Sequence, residues 1–162
     1  MQRIDEEIRS GKWLKHLDAR LRPAWAKVVH EEEPPTAYAG LTGPKDPYAE
    51  HLGVRFLAKE DTFVAELVVA TRHLSQQGTV HGGVLFAMAE AMLTWASNGH
   101  GIAASTLDVT ASFVASARTN DRLVAAVEEV VLRRRTAIYT VKIVNHHDDL
   151  IAVFQGTALR MA

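Results

Sequence analysis

Apolar positions recur along this chain in two different rhythms. From Ile4 to about His30, the residues Leu14, Leu17, Leu21, Trp25 and Val28 return at steps of three and four, the spacing of one helical face. Gly11 and Pro23 interrupt that stripe, and Pro23 suits the first turn of a second short helix better than the inside of a long one. Residues 30–47 then bring Glu31-Glu32-Glu33-Pro34-Pro35, Gly40, Gly43-Pro44 and Pro47, a density of charge and breakers that predicts a linker. The expected organisation is a helical arm with its linker over 1–47, followed by the main domain over 48–162. Such an arm either packs on the main domain or offers its stripe to a partner.

Beyond the linker the rhythm changes. Leu52 to Ala58 and Thr62 to Ala70 read as two strands of a hairpin joined by Lys59-Glu60-Asp61. A glycine-punctuated loop, His73 to Gly83, leads into Val84 to Ala96, whose alanine, leucine and methionine content predicts a helix. That helix is apolar almost all the way round, so it must be enclosed, and Asn98-Gly99-His100-Gly101 supplies its stop. Thr106 to Val114 alternates, with Leu107, Val109, Ala111 and Phe113 on one face and Thr106, Asp108, Thr110 and Ser112 on the other. Leu123 to Leu132, Thr136 to Val144 and Leu150 to Leu159 complete an antiparallel meander. The fold class is α+β: a curved antiparallel sheet wrapped around a central apolar helix, with an N-terminal helical extension.

Composition narrows the function. The formal net charge is -1, without the basic field that nucleic-acid binding requires. Cysteine is absent, which excludes disulfides, thiolate metal sites and cysteine nucleophiles. The longest apolar run, Val84 to Ala89, is too short to span a bilayer. No apolar segment follows Met1, so the cytoplasm is the expected compartment. His146-His147-Asp148-Asp149 looks like a metal cluster, but adjacent residues in a turn rarely converge on one ion; a solvent-facing turn is expected there, and no metal.

Within Val84 to Ala96 the strongly polar side chains are Glu90 and Thr94, one turn apart on one face. A carboxylate among apolar neighbours costs several kcal/mol, ~2–7 for an unpaired polar group, unless it is paired or used. Glu90 is therefore either a reactive group or one half of an ion pair at a subunit contact. His81-Gly82-Gly83 stands where the loop becomes helix, and glycines there expose backbone N–H groups at the positive end of the helix dipole. Taken alone, a Gly-Gly pair before a helix is weak evidence and is better explained by an ordinary tight turn or N-cap.

The stretch Leu74-Ser75-Gln76-Gln77-Gly78-Thr79-Val80-His81-Gly82-Gly83-Val84-Leu85-Phe86-Ala87-Met88-Ala89-Glu90 resembles the signature of the hotdog-fold acyl-CoA thioesterases, in the phenylacetic-acid-pathway and enterobactin-type branch. Gly78 three residues before His81, the double glycine after it and a carboxylate nine residues after it carry the resemblance, which extends over about His51 to Met161. It implies an acyl-CoA thioesterase that releases a carboxylic acid and free coenzyme A, with the coenzyme as part of the substrate and no separate cofactor. By the same resemblance Glu90 is the base or nucleophile, the Gly82 N–H polarises the thioester carbonyl, His81 positions it and Thr94 helps orient water. Ser75 stands where relatives place Asn or Gln, so Gln76 and Gln77 become substrate-binding candidates beside Ser75 and Gly83. The resemblance also implies an active site between two subunits, and hence a dimer or a dimer of dimers. Arg133-Arg134-Arg135, at a turn between two strands, is either the seat of the coenzyme's phosphates or a solvated hairpin tip, with Arg118 as a further candidate for the phosphates. A non-catalytic acyl-CoA sensor or scaffold is the alternative, and a hydratase on the same fold is a third reading.

Overall fold

A computed structural model describes residues 46–59 and 62–161, and the helical arm expected from Ile4 to His30 lies outside them. The described chain opens with a helix the sequence reading missed, α1 (Pro47–Leu52). Asp46 caps it by accepting from the Tyr48 and Ala49 amides at 2.9 and 3.0 Å, and Pro47 takes the first helical position, where its missing N–H costs nothing. Pro47, expected in the linker, is thus helical, and so is Leu52, expected to begin a strand. Gly53 ends α1 at φ 83°, a left-handed position that favours glycine.

Six strands follow: β1 (Arg55–Lys59), β2 (Thr62–Val68), β3 (Ala104–Phe113), β4 (Arg122–Leu132), β5 (Thr136–Asn145) and β6 (Leu150–Arg160). They form one antiparallel sheet in the order β1-β2-β4-β5-β6-β3, with β1 and β3 at its edges. The hairpin and the meander match the sequence expectation. The long helix, α2 (Gly82–Asn98), lies between β2 and β3 in sequence and packs across the inner face of β2 to β6.

Side-chain alternation sets that inner face. Ala65 and Leu67, Leu123, Ala125 and Val127, Tyr139, Val141 and Ile143, and Phe154 pack against Met88, Met92 and Leu93 of α2 in one core. Burying each large side chain stabilises the fold by ~2 kcal/mol. Gly156 admits the helix closely, since a Cβ there would lie 2.6 Å from Leu93 Cδ1. At the far end of α2, Asn98 hooks the helix to β3: its Nδ2 donates to the Ala104 carbonyl at 3.1 Å and its Oδ1 accepts from the Ala104 amide at 3.0 Å.

One expectation about β3 fails. The strand does not alternate throughout, because its register against β6 shifts between Thr106 and Asp108. The bulge turns Leu107 out to solvent, 58% exposed, and leaves Thr106 and Val109 as the part-buried positions on either side of it.

Candidate active site

The site is built on α2. His81 caps the helix from an extended backbone, its Nδ1 accepting from the Gly83 amide at 2.9 Å. That bond places the proton of the neutral ring on Nε2, on the side away from the helix. The Val84 and Leu85 amides donate to the His81 carbonyl, at 2.9 and 3.4 Å. Gly82 is then the first-turn residue whose N–H these bonds leave over, at the positive end of the helix dipole.

The two glycines are needed for different reasons. A Cβ on Gly83 would sit 2.9 Å from His81 Nδ1 and push the ring off its cap. One on Gly82 would meet Phe113 Cζ at 3.1 Å. Phe113 is 56% exposed and leans edge-on against Phe154, with ring centroids 5.9 Å apart, while Phe86 meets Phe154 at 6.0 Å. The glycine turn therefore opens beside an aromatic wall, which the sequence reading did not foresee.

Two turns along the helix, Glu90 is half-buried, on a stripe with Thr94 and Asn98 that the sheet leaves partly open. The Thr94 hydroxyl donates to Glu90 Oε1 at 2.9 Å, and the Thr106 hydroxyl donates to the same oxygen at 3.2 Å. Within this chain Glu90 forms no ion pair among those found in the described residues. The bulge in β3 puts Thr106 on the same side as Val109, a placement that strict alternation along the strand does not predict.

The remaining candidates divide between the two ends of α2. Ser75 lies in a tight turn closed by the Gly78 amide on its carbonyl (3.0 Å), and its Oγ accepts from the Gln77 amide at 3.2 Å. Gln76 and Gln77 are exposed at the tip of that turn. The strand-like pairing of Leu74 with Val80 and the bond from the His81 amide to the His73 carbonyl (2.8 Å) tie the turn to the start of α2. Arg118 belongs to the same end, because the neighbouring Ala117 carbonyl accepts from the Val80 amide.

Arg133, Arg134 and Arg135 lie at the other end. Their exposed hairpin tip is clamped by Arg160, which donates to the Arg133 carbonyl at 2.6 Å, and Arg160 pairs with Ala104, the residue hooked to the end of α2. The structure thus does not bring the triple arginine to Gly82 within one chain. Near the same end the buried Tyr139 hydroxyl donates to Glu129 Oε2 (3.1 Å), which also meets His100 Nε2 at 2.5 Å. Burial, and then the Glu129 charge, raise this phenol well above its usual range and remove it as an acid or base at neutral pH.

The 145–149 turn is not the solvent-facing turn expected, since His146 and Asp148 are buried. Asp121, His146 and His147 each offer a ligand atom within 4.8 Å of the others. Two of these atoms' residues already serve the backbone: Asp121 Oδ2 accepts from the Arg118 amide at 2.8 Å and His146 Nδ1 from the Arg122 amide at 3.3 Å.

Residues 77–152 match the model of the thioesterase superfamily. A putative esterase of Archaeoglobus fulgidus is 33% identical over 117 residues, which cover 72% of this chain and 76% of that protein. The chain belongs to the thioesterase superfamily. It is a thioester hydrolase on the hotdog fold. The acyl-coenzyme A thioesterase PaaI of Escherichia coli is 28% identical over 117 residues, 72% of this chain and 84% of that one. Among solved structures, a mutant of the phenylacetic acid degradation protein PaaI from Thermus thermophilus superposes with a TM-score of 0.68 at 36% identity, covering 72% of this chain and 100% of that one. The PaaI protein of the Escherichia coli phenylacetic acid degradation operon gives 0.69 at 28% identity, covering 73% and 86%. No helix among the described residues is long and apolar enough to cross a membrane.

Proposed function

We propose that this thioesterase hydrolyses acyl-coenzyme A, with Glu90 of one chain and the Gly82 amide of a second chain acting on the same thioester carbonyl. The observation that carries the reading is the held carboxylate: two hydroxyls converge on Glu90 Oε1, fixing its orientation and leaving Oε2 to face water or the carbonyl carbon. Acyl-coenzyme A as substrate is supported by the likeness to the Escherichia coli acyl-coenzyme A thioesterase.

Helix geometry favours a shared site. At a rise of ~1.5 Å per residue, Gly82 and Glu90 of one chain stand about 12 Å apart along the axis, and Thr94 and Thr106 hold the carboxylate away from the Gly82 end. A second copy brings the two groups together. The edge strand β3 is suited to receive it, with unpaired backbone groups along one side and Leu107, Phe113 and Val114 exposed.

In the reaction Glu90 takes a proton from water as the water attacks the carbonyl carbon, or attacks that carbon itself to give a mixed anhydride that water then cleaves. The Gly82 N–H receives the developing oxyanion at the positive end of α2, and His81 positions the carbonyl through its outward edge. The carbon–sulfur bond breaks and coenzyme A leaves as the thiolate, which takes the proton that Glu90 drew from water or, on the anhydride route, a proton from solvent. Arg133, Arg134 and Arg135 of the Glu90-bearing chain take the phosphates of the nucleotide end.

Thiol release from a panel of aryl-acetyl, hydroxybenzoyl and medium-chain acyl-coenzyme A esters tests the proposal. Glu90→Gln should cut kcat by a factor of ~100 or more with a folded chain. Thiol release that survives this change and Glu90→Ala would remove Glu90 from the mechanism.

A further inference from the structure

The turn that opens β4 and the turn that joins β5 to β6 lie side by side, because the register sets Leu123 opposite Asn145. Each brings metal-type donors to the meeting point. Asp121, His146 and His147 offer one ligand atom apiece, all within 4.8 Å of one another. The expectation of no metal at this turn rests on adjacent residues pointing apart. Here they converge: the His146 and His147 rings lie beside each other, with centroids 3.8 Å apart and planes tilted by 44°. The third donor arrives from the other turn, with Asp121 Oδ1 3.8 Å from His146 Nδ1.

Both turns hold these donors through bonds of their own. Asn145 Oδ1 accepts from the His147 and Asp149 amides, each at 2.9 Å, and the Asn145 carbonyl accepts from the Asp148 amide at 3.1 Å. Asp121 is fixed by the Arg118 amide, 2.8 Å from Oδ2, so Oδ1 is the oxygen turned toward His146. A carboxylate anchored through one oxygen and offering the other is the outer-shell arrangement that orients a metal ligand.

We infer that Asp121, His146 and His147 bind a divalent transition ion, with zinc the best match. Two imidazoles and a carboxylate suit zinc, whereas calcium and magnesium favour oxygen ligands. With zinc–ligand bonds of about 2.0–2.1 Å, the ligand atoms of a tetrahedral site stand about 3.3 Å apart. Bringing Asp121 and His146 to that separation takes roughly half an ångström, and the exposed His147 ring is placed to swing in. His146 Nδ1 also accepts from the Arg122 amide at 3.3 Å, a long bond whose loss costs little. Three protein donors leave the fourth position to water, so the affinity is moderate. The ion braces the two turns where the Ala117 carbonyl receives the Val80 amide, close to the start of α2. This inference is independent of the catalytic proposal.

Zinc binding to the full, untagged chain tests it. After chelator treatment and dialysis, zinc chloride should bind by calorimetry with a Kd on the order of 1–10 μM and should raise the Tm. His147→Ala removes an exposed ring, and Asp121→Asn keeps an oxygen for the Arg118 amide, so both variants should fold. Each should weaken zinc binding by about 100-fold and remove the rise in Tm. The control is His100→Ala, which breaks the other histidine–carboxylate pair, with Glu129, and should keep both responses. No binding heat and no rise in Tm up to about 1 mM zinc would overturn the inference. Zinc binding that survives either ligand variant, or that is lost in His100→Ala, assigns the ion to other donors and overturns it as well. Magnesium chloride should give neither response, and magnesium binding as tight as zinc would reduce the site to charge attraction and count against it equally.

Discussion

Removing the Thr106 hydroxyl tests the structural finding that the sequence did not offer. Thr106→Val keeps the side-chain shape and deletes the 3.2 Å bond to Glu90 Oε1, while the 2.9 Å bond from Thr94 remains. With one anchor left, the carboxylate keeps its orientation most of the time. The expected loss in kcat is about 5-fold, close to 1 kcal/mol in the barrier. Thr94→Val should behave likewise, somewhat more severely because its bond is shorter. When both are removed no hydrogen bond found among the described residues directs Glu90, and a misplacement of about 1 Å costs a reaction of this kind ~100-fold. The double loss should therefore exceed the ~25-fold product of the single losses, since both hydroxyls hold one oxygen. Both positions are only part-buried, so each valine should shift unfolding stability by no more than about 1 kcal/mol. Thiol-release kinetics with urea unfolding on the same samples separates the two effects. A double variant within 2-fold of the native kcat would refute the idea that the hydroxyls aim the carboxylate.

Gly156→Ala should destabilise the chain by about 1–3 kcal/mol in urea unfolding, because the added methyl would meet Leu93 Cδ1 at 2.6 Å and the Asp108 carbonyl at 3.3 Å; an unchanged midpoint would mean that α2 does not lie that close. His73 should make stability fall in acid. It is fully buried, its Nδ1 accepts from the Ala70 amide, and burial, then the Arg72 charge, hold its imidazole below the usual histidine value of 6.5, against an opposing effect of the Leu52 carbonyl. The unfolded chain thus takes up the proton first, so the contribution present above pH 6.5 is lost as pH falls below 6.5 toward the folded value. Thermal melts between about pH 5 and 7.5 should show a shallower acid decline in His73→Asn, and parallel declines would contradict this.

Composition made α2 legible, since a run so rich in alanine, leucine and methionine has to be enclosed, and it also singled out Glu90 as the carboxylate within it. The meander was legible from alternation in β4 to β6. α1 carries a visible signal, Asp46 before Pro47, but a proline among other prolines and glycines looks the same whether it breaks a chain or opens a helix. The β3 bulge left no trace in the sequence, because one inserted residue shifts the pattern without changing which residue types appear. Strict alternation therefore predicts the opposite faces for Thr106 and Leu107. The helix begins at Gly82, two residues before the expected start, because the His81 imidazole satisfies the first turn where glycine's intrinsic propensity is poor. The triple arginine could be found as a cluster but not placed, since its distance from Gly82 depends on strand register across β5, β6 and β3.

The central claim, that Glu90 and the Gly82 amide serve one carbonyl from two different chains, is tested most directly by mixing. Glu90→Ala removes the carboxylate, and Gly82→Val crowds the amide against Phe113. Co-expressed with different tags and purified as mixed dimers, the two inactive variants should together recover one intact site per dimer, about half the wild-type rate of thiol release per dimer. Mixed dimers that stay as inactive as either variant alone would contradict a site shared between chains.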